Sequence, residues 1–240
     1  MLKNERQQKI IELLNKKAYR TEDLAKILKA SCATIRRDLK DLASKGKIHK
    51  VFGGALNINY KTSEDSYDFK QEVNPKIKEA IAKKAASLIN DNDSIFLDAG
   101  TTTAYIIDYL GNTKAKFVTN SYIHAHNLSL KGYDVILIGG RLKNHTKAII
   151  GSEAMYQLMN YNFTKSFIGC NGLSLKNGLT TADINEAKLK ALVIKKSKET
   201  FVLADDSKFD IIYQNSFASV GDVRIISNKQ YANLKSMIII

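Results

Sequence analysis

Six short apolar runs recur through the last two thirds of the chain, and helical patterns fall between several of them. The runs are Ile95 to Leu97, Phe117 to Thr119, Val135 to Ile138, Phe167 to Ile168, Phe201 to Leu203 and Arg224 to Ile226. Helical periodicity marks Ile77 to Ile89, with Ile77, Ile81, Ala85 and Leu88 on one face, and then Thr103 to Leu110, Tyr122 to Leu130 and Asn185 to Ser197. Strands that alternate with helices are joined by crossovers, so the spacing predicts an α/β domain with a mainly parallel sheet covered on both faces. Ligands of such sheets bind outside the carboxyl ends of the strands.

The unusual residues gather at those ends. After the first run comes Asp98, then Gly100 for a tight turn, the hydroxyls of Thr101, Thr102 and Thr103, and a helix start whose free N–H groups favour an anion. Asp98, an acceptor at a strand tip, suits a sugar hydroxyl. Thr119, Asn120 and Ser121 end the second run, and Gly139, Gly140 and Arg141 end the third. Cys170, Asn171 and Gly172 follow the fourth, and Asp205, Asp206, Ser207 and Lys208 the fifth. Thr181 and Asp183 lead into a helix containing Glu186 and Lys188. Any one of these turns is ordinary loop chemistry. As a set they describe a sugar-phosphate site, with glycines for close approach, hydroxyls and amides for a polyol, and Arg141, Lys188 and Lys208 for a phosphate.

The first sixty residues are different. They carry 14 basic and 6 acidic side chains, net +8, which leaves 23 and 18, net +5, for the other 180 of the chain's 240. Three short helical stripes follow closely: Ile10, Ile11 and Leu14 in Arg6 to Lys17; Leu24, Ile27 and Leu28 in Glu22 to Lys29; Ile35, Leu39 and Leu42 in Ala33 to Lys45. Thr21 and Ser31 stand at N-cap positions, and Gly46 ends the third helix. Burying the third stripe turns Ala33, Arg36, Arg37 and Lys40 to the opposite side, a basic face suited to the major groove. Lys47 to Val51 then reads as a strand, Phe52 to Gly54 as a turn and Ala55 to Ile58 as a returning strand. Three helices and a basic hairpin make a winged helix-turn-helix. The expected DNA-binding residues are Thr21, Ser31, Ala33, Thr34, Arg36, Arg37, Lys40, Lys47, His49 and Lys50, and the partner is a double-stranded operator.

The stretch from Ser31 through Thr34, Arg36, Arg37, Asp38 and Leu39, with Leu42, Gly46 and the Gly53-Gly54-Ala55 turn, resembles the N-terminal signature of the DeoR family of bacterial transcriptional regulators. Phe52 stands where that family usually has a histidine, and Lys50 where it has an arginine. The strand-end motifs resemble the family's sensor domain. The resemblance therefore implies a sensor related to the ribose-5-phosphate isomerase-like fold that binds a phosphorylated sugar. In the last strand Ile226-Ser227-Asn228 replaces the family's usual run ending in aspartate.

The resulting expectation is a DNA-binding domain over residues 1–58, a polar linker over 59–75 and an effector-binding domain over 76–240. Its function is a regulator, most simply a repressor of sugar uptake or catabolism, that works as a symmetric oligomer because one small reading helix covers too few bases. An activator of the same build is an alternative reading. The rival reading is a sugar-phosphate isomerase-like enzyme with a basic appendage, using Asp98, Asp183 or Glu186 as a base. That rival leaves the first sixty residues without a purpose.

No Walker loop, dinucleotide fingerprint or Ser-His-Asp order occurs, so no cofactor is expected. His124 and His126 would point roughly 200° apart on a helix, unsuited to a shared metal. The two cysteines, Cys32 and Cys170, make no disulfide framework; the first is expected to be exposed and the second buried. No apolar run approaches the ~20 residues of a membrane span, and Lys3, Glu5, Arg6 and Lys9 break any signal-peptide core, which predicts a cytoplasmic protein.

Overall fold

The structure, a computed structural model, describes residues 2–14, 19–45, 47–51, 53–57, 60–61, 63–231 and 234–240, with the backbone alone at 49, 51, 56 and 57. Gly46, Phe52 and Ile58 lie outside the described residues, as does the end of the first predicted helix. The chain divides into two compact units, 1–61 and 62–240.

In the first unit α1 (Lys3–Leu14), α2 (Thr21–Leu28) and α3 (Cys32–Ser44) precede a hairpin of β2 (Ile48–Val51) and β3 (Gly54–Asn57). A two-residue strand β1 (Tyr19–Arg20), not foreseen from sequence, pairs with β3; β4 (Tyr60–Lys61) follows. Gly54 permits that pairing, since a Cβ there would sit 2.3 Å from the Tyr19 carbonyl oxygen. The tight turn between α2 and α3 is made by Lys29 in the left-handed region (φ 48°), with the Ala30 N–H returning to the Ala25 carbonyl. Ile10, Leu14, Leu24, Leu28, Ile35, Leu39, Leu42 and Ile48 form the core. Ile27, assigned to that core from its spacing, is half exposed. Asp38, almost fully buried, accepts from Arg6 Nε at 2.5 Å and fixes α1 against α3.

The second unit holds a sheet with the order β7-β6-β5-β10-β13-β16-β17, parallel throughout. Its strands are β5 (Ser94–Leu97), β6 (Lys116–Thr119), β7 (Val135–Leu137), β10 (Phe163–Gly169), β13 (Ser197–Leu203), β16 (Arg224–Ser227) and β17 (Met237–Ile239). The last of these was not among the strands expected from sequence. Alternate residues of each strand face opposite layers. Ile95, Leu97, Phe117, Phe167 and Phe201 pack with Ile81 and Ala85 of α5 (Pro75–Ala86), Ile106 and Ile107 of the turn after α6 (Thr101–Ala104), and Leu128 of α7 (Tyr122–Leu130). Phe96, Val118 and Phe163 pack with Ala154 and Leu158 of α8 (Ser152–Leu158) and Leu189 and Val193 of α9 (Ile184–Lys195). Both faces are thus covered, as near-continuous apolar strands require.

The chain builds outward from β5 to β7, then returns to the centre and builds the other way from β10. The strand order reverses between β5 and β10, and in an open α/β sheet the ligand crevice lies outside the carboxyl ends at such a reversal. Over that end lie hairpin β8 (Arg141–Lys143) with β9 (Ala148–Ile150), and the small sheet of β11 (Gly172–Ser174), β12 (Gly178–Thr181) and β15 (Asn215–Ala218). The stretch 59–75, expected to be a plain linker, contains α4 (Tyr67–Glu72), and from residue 62 it belongs to the second unit.

Candidate functional site

On α3, Ser31 caps the helix, its hydroxyl accepting from the Thr34 N–H at 3.1 Å. Ile35, Asp38, Leu39 and Leu42 face inward, which leaves Ala33, Arg36, Arg37 and Lys40 exposed on the side away from the core. Thr34 is half-buried, and Lys47 and Lys50 of the wing are exposed. The His49 side chain lies outside the description. Thr21 is a correction. It is buried and is the first residue of α2, not its cap, because Arg20 precedes it in extended backbone and the Thr21 N–H is taken by the Gly53 carbonyl at 2.8 Å. Its side chain is therefore held inside the first unit rather than presented to solvent.

At the strand ends of the second unit, most of the expected polar groups are spent on the protein itself. Thr103 Oγ1 donates to the Asp98 carbonyl at 2.6 Å and accepts the Gly100 N–H at 3.0 Å. Thr119 Oγ1 donates to the Leu97 carbonyl, Asn120 accepts the Ala99 N–H, and Ser121 caps α7. Thr101 is buried and Thr102 half-buried at the start of α6. Gly139 donates its N–H to Gln157, and Gly140 adopts φ 142° where a Cβ would press on the Ile150 carbonyl; Arg141 projects into solvent from β8. Gly172 is compelled by close approach, since a Cβ there would lie 2.2 Å from the Ile211 carbonyl oxygen. These residues build the crevice.

Charge defines its interior. Asp98, 3% exposed, accepts the Gly169 N–H across the reversal point at 3.0 Å and pairs with Lys190 of α9, also buried. Burial alone would lower the Lys190 pKa, but Asp98 and then Glu186 more than reverse this and raise it. Lys188, expected to face a phosphate, is exposed on the other side of α9, as two residues along a helix dictates. Glu186, one turn before Lys190, accepts from Thr146, Thr181 and Lys143. Asp183 caps α9 by accepting from Asn185 and Glu186, and lies 3.4 Å from Lys143 Nζ. Asn171 follows β10 and donates to Glu64.

Beyond β13, Asp205 is buried and accepts from the Ser207 N–H and, at 3.4 Å, from Asn74 Nδ2. Asn228, standing where a carboxylate was the expected pattern, accepts the Asp206 N–H at 2.9 Å and donates to the Asp206 carboxylate at 3.1 Å. An aspartate there would set two carboxylates face to face, so the amide suits its neighbour. Lys78 of α5, 3% exposed, donates to the Lys70 carbonyl. Among the described residues neither Lys78 nor half-buried Lys208 has a carboxylate within ion-pair distance, and Lys78 feels the charges of both Lys208 and Asp205. Burial first, and Lys208 next, push the Lys78 ammonium down to about 8. Cys170 is buried among these charges, its thiol pushed up to about 12 by burial, while Cys32 is half-buried.

Behind the Asp98–Gly100 turn sits His124, fully buried. Burial holds it down to about 4 against 6.5, the attraction of Asp98 notwithstanding. A depressed histidine destabilises the fold as the pH drops, because the unfolded chain takes the proton first. Stability conferred by a neutral His124 is whole above pH 6.5 and falls by about 3 kcal/mol toward pH 4. Urea titrations across that range should show the gap between wild type and His124→Phe narrowing or reversing in favour of the variant; parallel curves would contradict the assignment.

Sequence reasoning found the strand ends but missed Lys70, Lys78, Lys143 and Lys190, and placed Glu64 in a linker. Lys190 had a signal, its i,i+4 spacing from Glu186; for Lys78 and Lys143, on elements distant in sequence, there was none.

A family model described as a DeoR-like helix-turn-helix domain matches residues 6–61, and one described as the DeoR C terminal sensor domain matches 73–229. The uncharacterized HTH-type transcriptional regulator FruR of Bacillus subtilis (strain 168) is 42% identical over 95% of this chain and 91% of its own length. A lactose phosphotransferase system repressor of Staphylococcus aureus (strain NCTC 8325 / PS 47) is 32% identical over 94% and 92%. Among solved structures, ribose 5-phosphate isomerase A of Methanocaldococcus jannaschii aligns over 57% of this chain and 55% of its own, with 20% identity and a TM-score of 0.43.

Proposed function

The chain belongs to the DeoR family of transcriptional regulators, and we propose that it represses genes of sugar uptake or catabolism under the control of a phosphorylated sugar. It is a DNA-binding regulator and not an enzyme. Arg36, Arg37 and Lys40 meet DNA, with Ser31, Ala33 and Thr34 at the start of the reading helix and Lys47 and Lys50 on the wing.

The observation that carries the effector reading is the buried, unpaired Lys78 beside Lys208 at the carboxyl end of β13. Two neighbouring ammonium groups with no carboxylate in ion-pair distance of either are destabilised in isolation and stabilised by an arriving dianion. The relative from Staphylococcus aureus, a lactose phosphotransferase system repressor, agrees with a phosphorylated sugar as that dianion. Repression is then relieved because the effector binds more tightly to the form that is poor at binding DNA. A second copy of the chain completes the operator reader; Ile136 and Leu137, exposed on the free edge strand β7, support association there.

An anion raises the Lys78 pKa again, so effector binding takes up a proton near pH 8 and weakens as the pH rises past it. Calorimetry at pH 8 in two buffers of different ionisation enthalpy should give unequal heats for the wild type and equal heats for Lys78→Met. The whole reading is tested by gel shifts of the chain's own promoter region against a panel of pentose and hexose phosphates, with the parent sugars as controls. Release of DNA by none of the phosphates would overturn it.

A further inference from the structure

Glu64 stands two residues into the second unit, in the polar stretch Ser63-Glu64-Asp65-Ser66, yet its side chain is only 6% exposed. Its Oε1 accepts from Lys70 Nζ and from Asn171 Nδ2, both at 2.8 Å, and its Oε2 accepts from Lys143 Nζ at 3.0 Å. The donors come from three separate elements, α4, β8 and the turn after β10, and converge on one carboxylate. His145 Nε2 holds the Glu64 carbonyl at 2.7 Å, and the His145 carbonyl takes the Tyr67 N–H at 2.9 Å. Burial by itself would raise this carboxyl, but Lys70, Asn171 and Lys143 bring it down to about 2, so it stays ionised. This is an anion seat, and a side chain of the protein fills it.

The seat adjoins the open lysines, because Lys70 places its ammonium on Glu64 and its carbonyl on Lys78. The crevice thus offers one anion position without an occupant, at Lys78 and Lys208, and one already taken. A neutral hydroxyl cannot take the second, since removing the carboxylate would leave the partly buried Lys70 ammonium uncompensated. A second acidic group can.

We infer that Glu64 is the chain's own competitor for a second anion subsite formed by Lys70, Lys143 and Asn171. The effector that displaces it is a phosphorylated sugar carrying a further acidic group, a bisphosphate or a phosphorylated sugar acid. The inference rests on the proposed sugar-phosphate site. Expulsion of Glu64 releases the segment 63–66, which in sequence follows directly on the DNA-binding unit, and so links effector charge to that connection.

The test uses matched pairs of probes that differ by one acidic group: fructose 6-phosphate with fructose 1,6-bisphosphate, and glucose 6-phosphate with 6-phosphogluconate. Calorimetry on the full chain should show the doubly acidic member of at least one pair bound more tightly. Glu64→Gln should tighten that ligand roughly tenfold, the factor for a seat self-occupied about nine tenths of the time, and leave the monophosphate within about twofold. Hydrogen exchange of residues 63–72 in the wild type, which needs no variant, should rise with the doubly acidic ligand and stay unchanged with its partner. Equal responses of both members of each pair to Glu64→Gln, with exchange unaltered, overturn the inference and leave the sugar-phosphate reading standing. Failure of all four probes and of inorganic phosphate to bind either protein overturns both.

Discussion

Lys190→Met lowers the unfolding free energy by about 3–5 kcal/mol, and Asp98→Asn by a similar amount, because each leaves its partner's charge buried without compensation. The two side chains are almost wholly out of water, and the Asp98 oxygen that pairs with Lys190 also receives the Gly169 N–H. One carboxylate therefore ties β5 to β10 and both to α9 at the point where the strand order reverses. The double variant should recover most of the loss, since a neutral amide and a thioether of similar volume replace a pair whose desolvation offsets much of its attraction. Urea denaturation of the four proteins at pH 7 gives the cycle. Single-variant losses below about 1 kcal/mol, or a double variant as unstable as the sum of the singles, would remove this pair from its place as the clasp of the crevice.

The clasp also marks where sequence reading reaches its limit. Asp98 was legible as unusual because a carboxylate follows an apolar strand and precedes a helix. Its partner was not, because Lys188 and Lys190 look alike in a lysine-rich stretch and only the phase of α9 against the sheet decides which is inside. The same holds for Lys78, one of several lysines in α5, whose burial depends on where α5 crosses the strands. Thr103, Thr119, Asn120 and Ser121 carry the right chemistry for a polyol, yet the turns that hold the crevice open consume it. Strand–helix alternation, by contrast, is written into local periodicity, so six of the seven strands and three of the helices could be read directly. The seventh strand, Met237–Ile239, and helix Tyr67–Glu72 were missed: three apolar residues at a chain end and one short turn of helix carry no period of their own. Glu64 was invisible for the opposite reason, since a polar stretch looks like a solvated linker until donors from three elements are seen to close on it.

The proposed DNA-binding face is the most legible part, because three apolar residues at helical spacing fix which side of α3 looks outward, and this yields the largest expected functional effect. Arg36→Ala and Arg37→Ala should each weaken operator binding by about 1–3 kcal/mol where the arginine reads a base, and the double variant by roughly 10²-fold to 10⁴-fold. Both side chains are exposed and leave the core of Ile35, Leu39 and Leu42 untouched, so the unfolding free energy should move by no more than about 0.5 kcal/mol. Salt dependence separates their roles. Loss of a phosphate contact lowers the slope of log K against log salt by about 1 and weakens all sequences alike, whereas loss of a base contact keeps the slope and relaxes the preference at one position. Because Arg36 and Arg37 lie about 100° apart on α3, they cannot both point along the axis of the groove; one variant should show each behaviour. Operator affinity unchanged in both variants, measured by fluorescence anisotropy at several salt concentrations, would show that DNA is met by another surface.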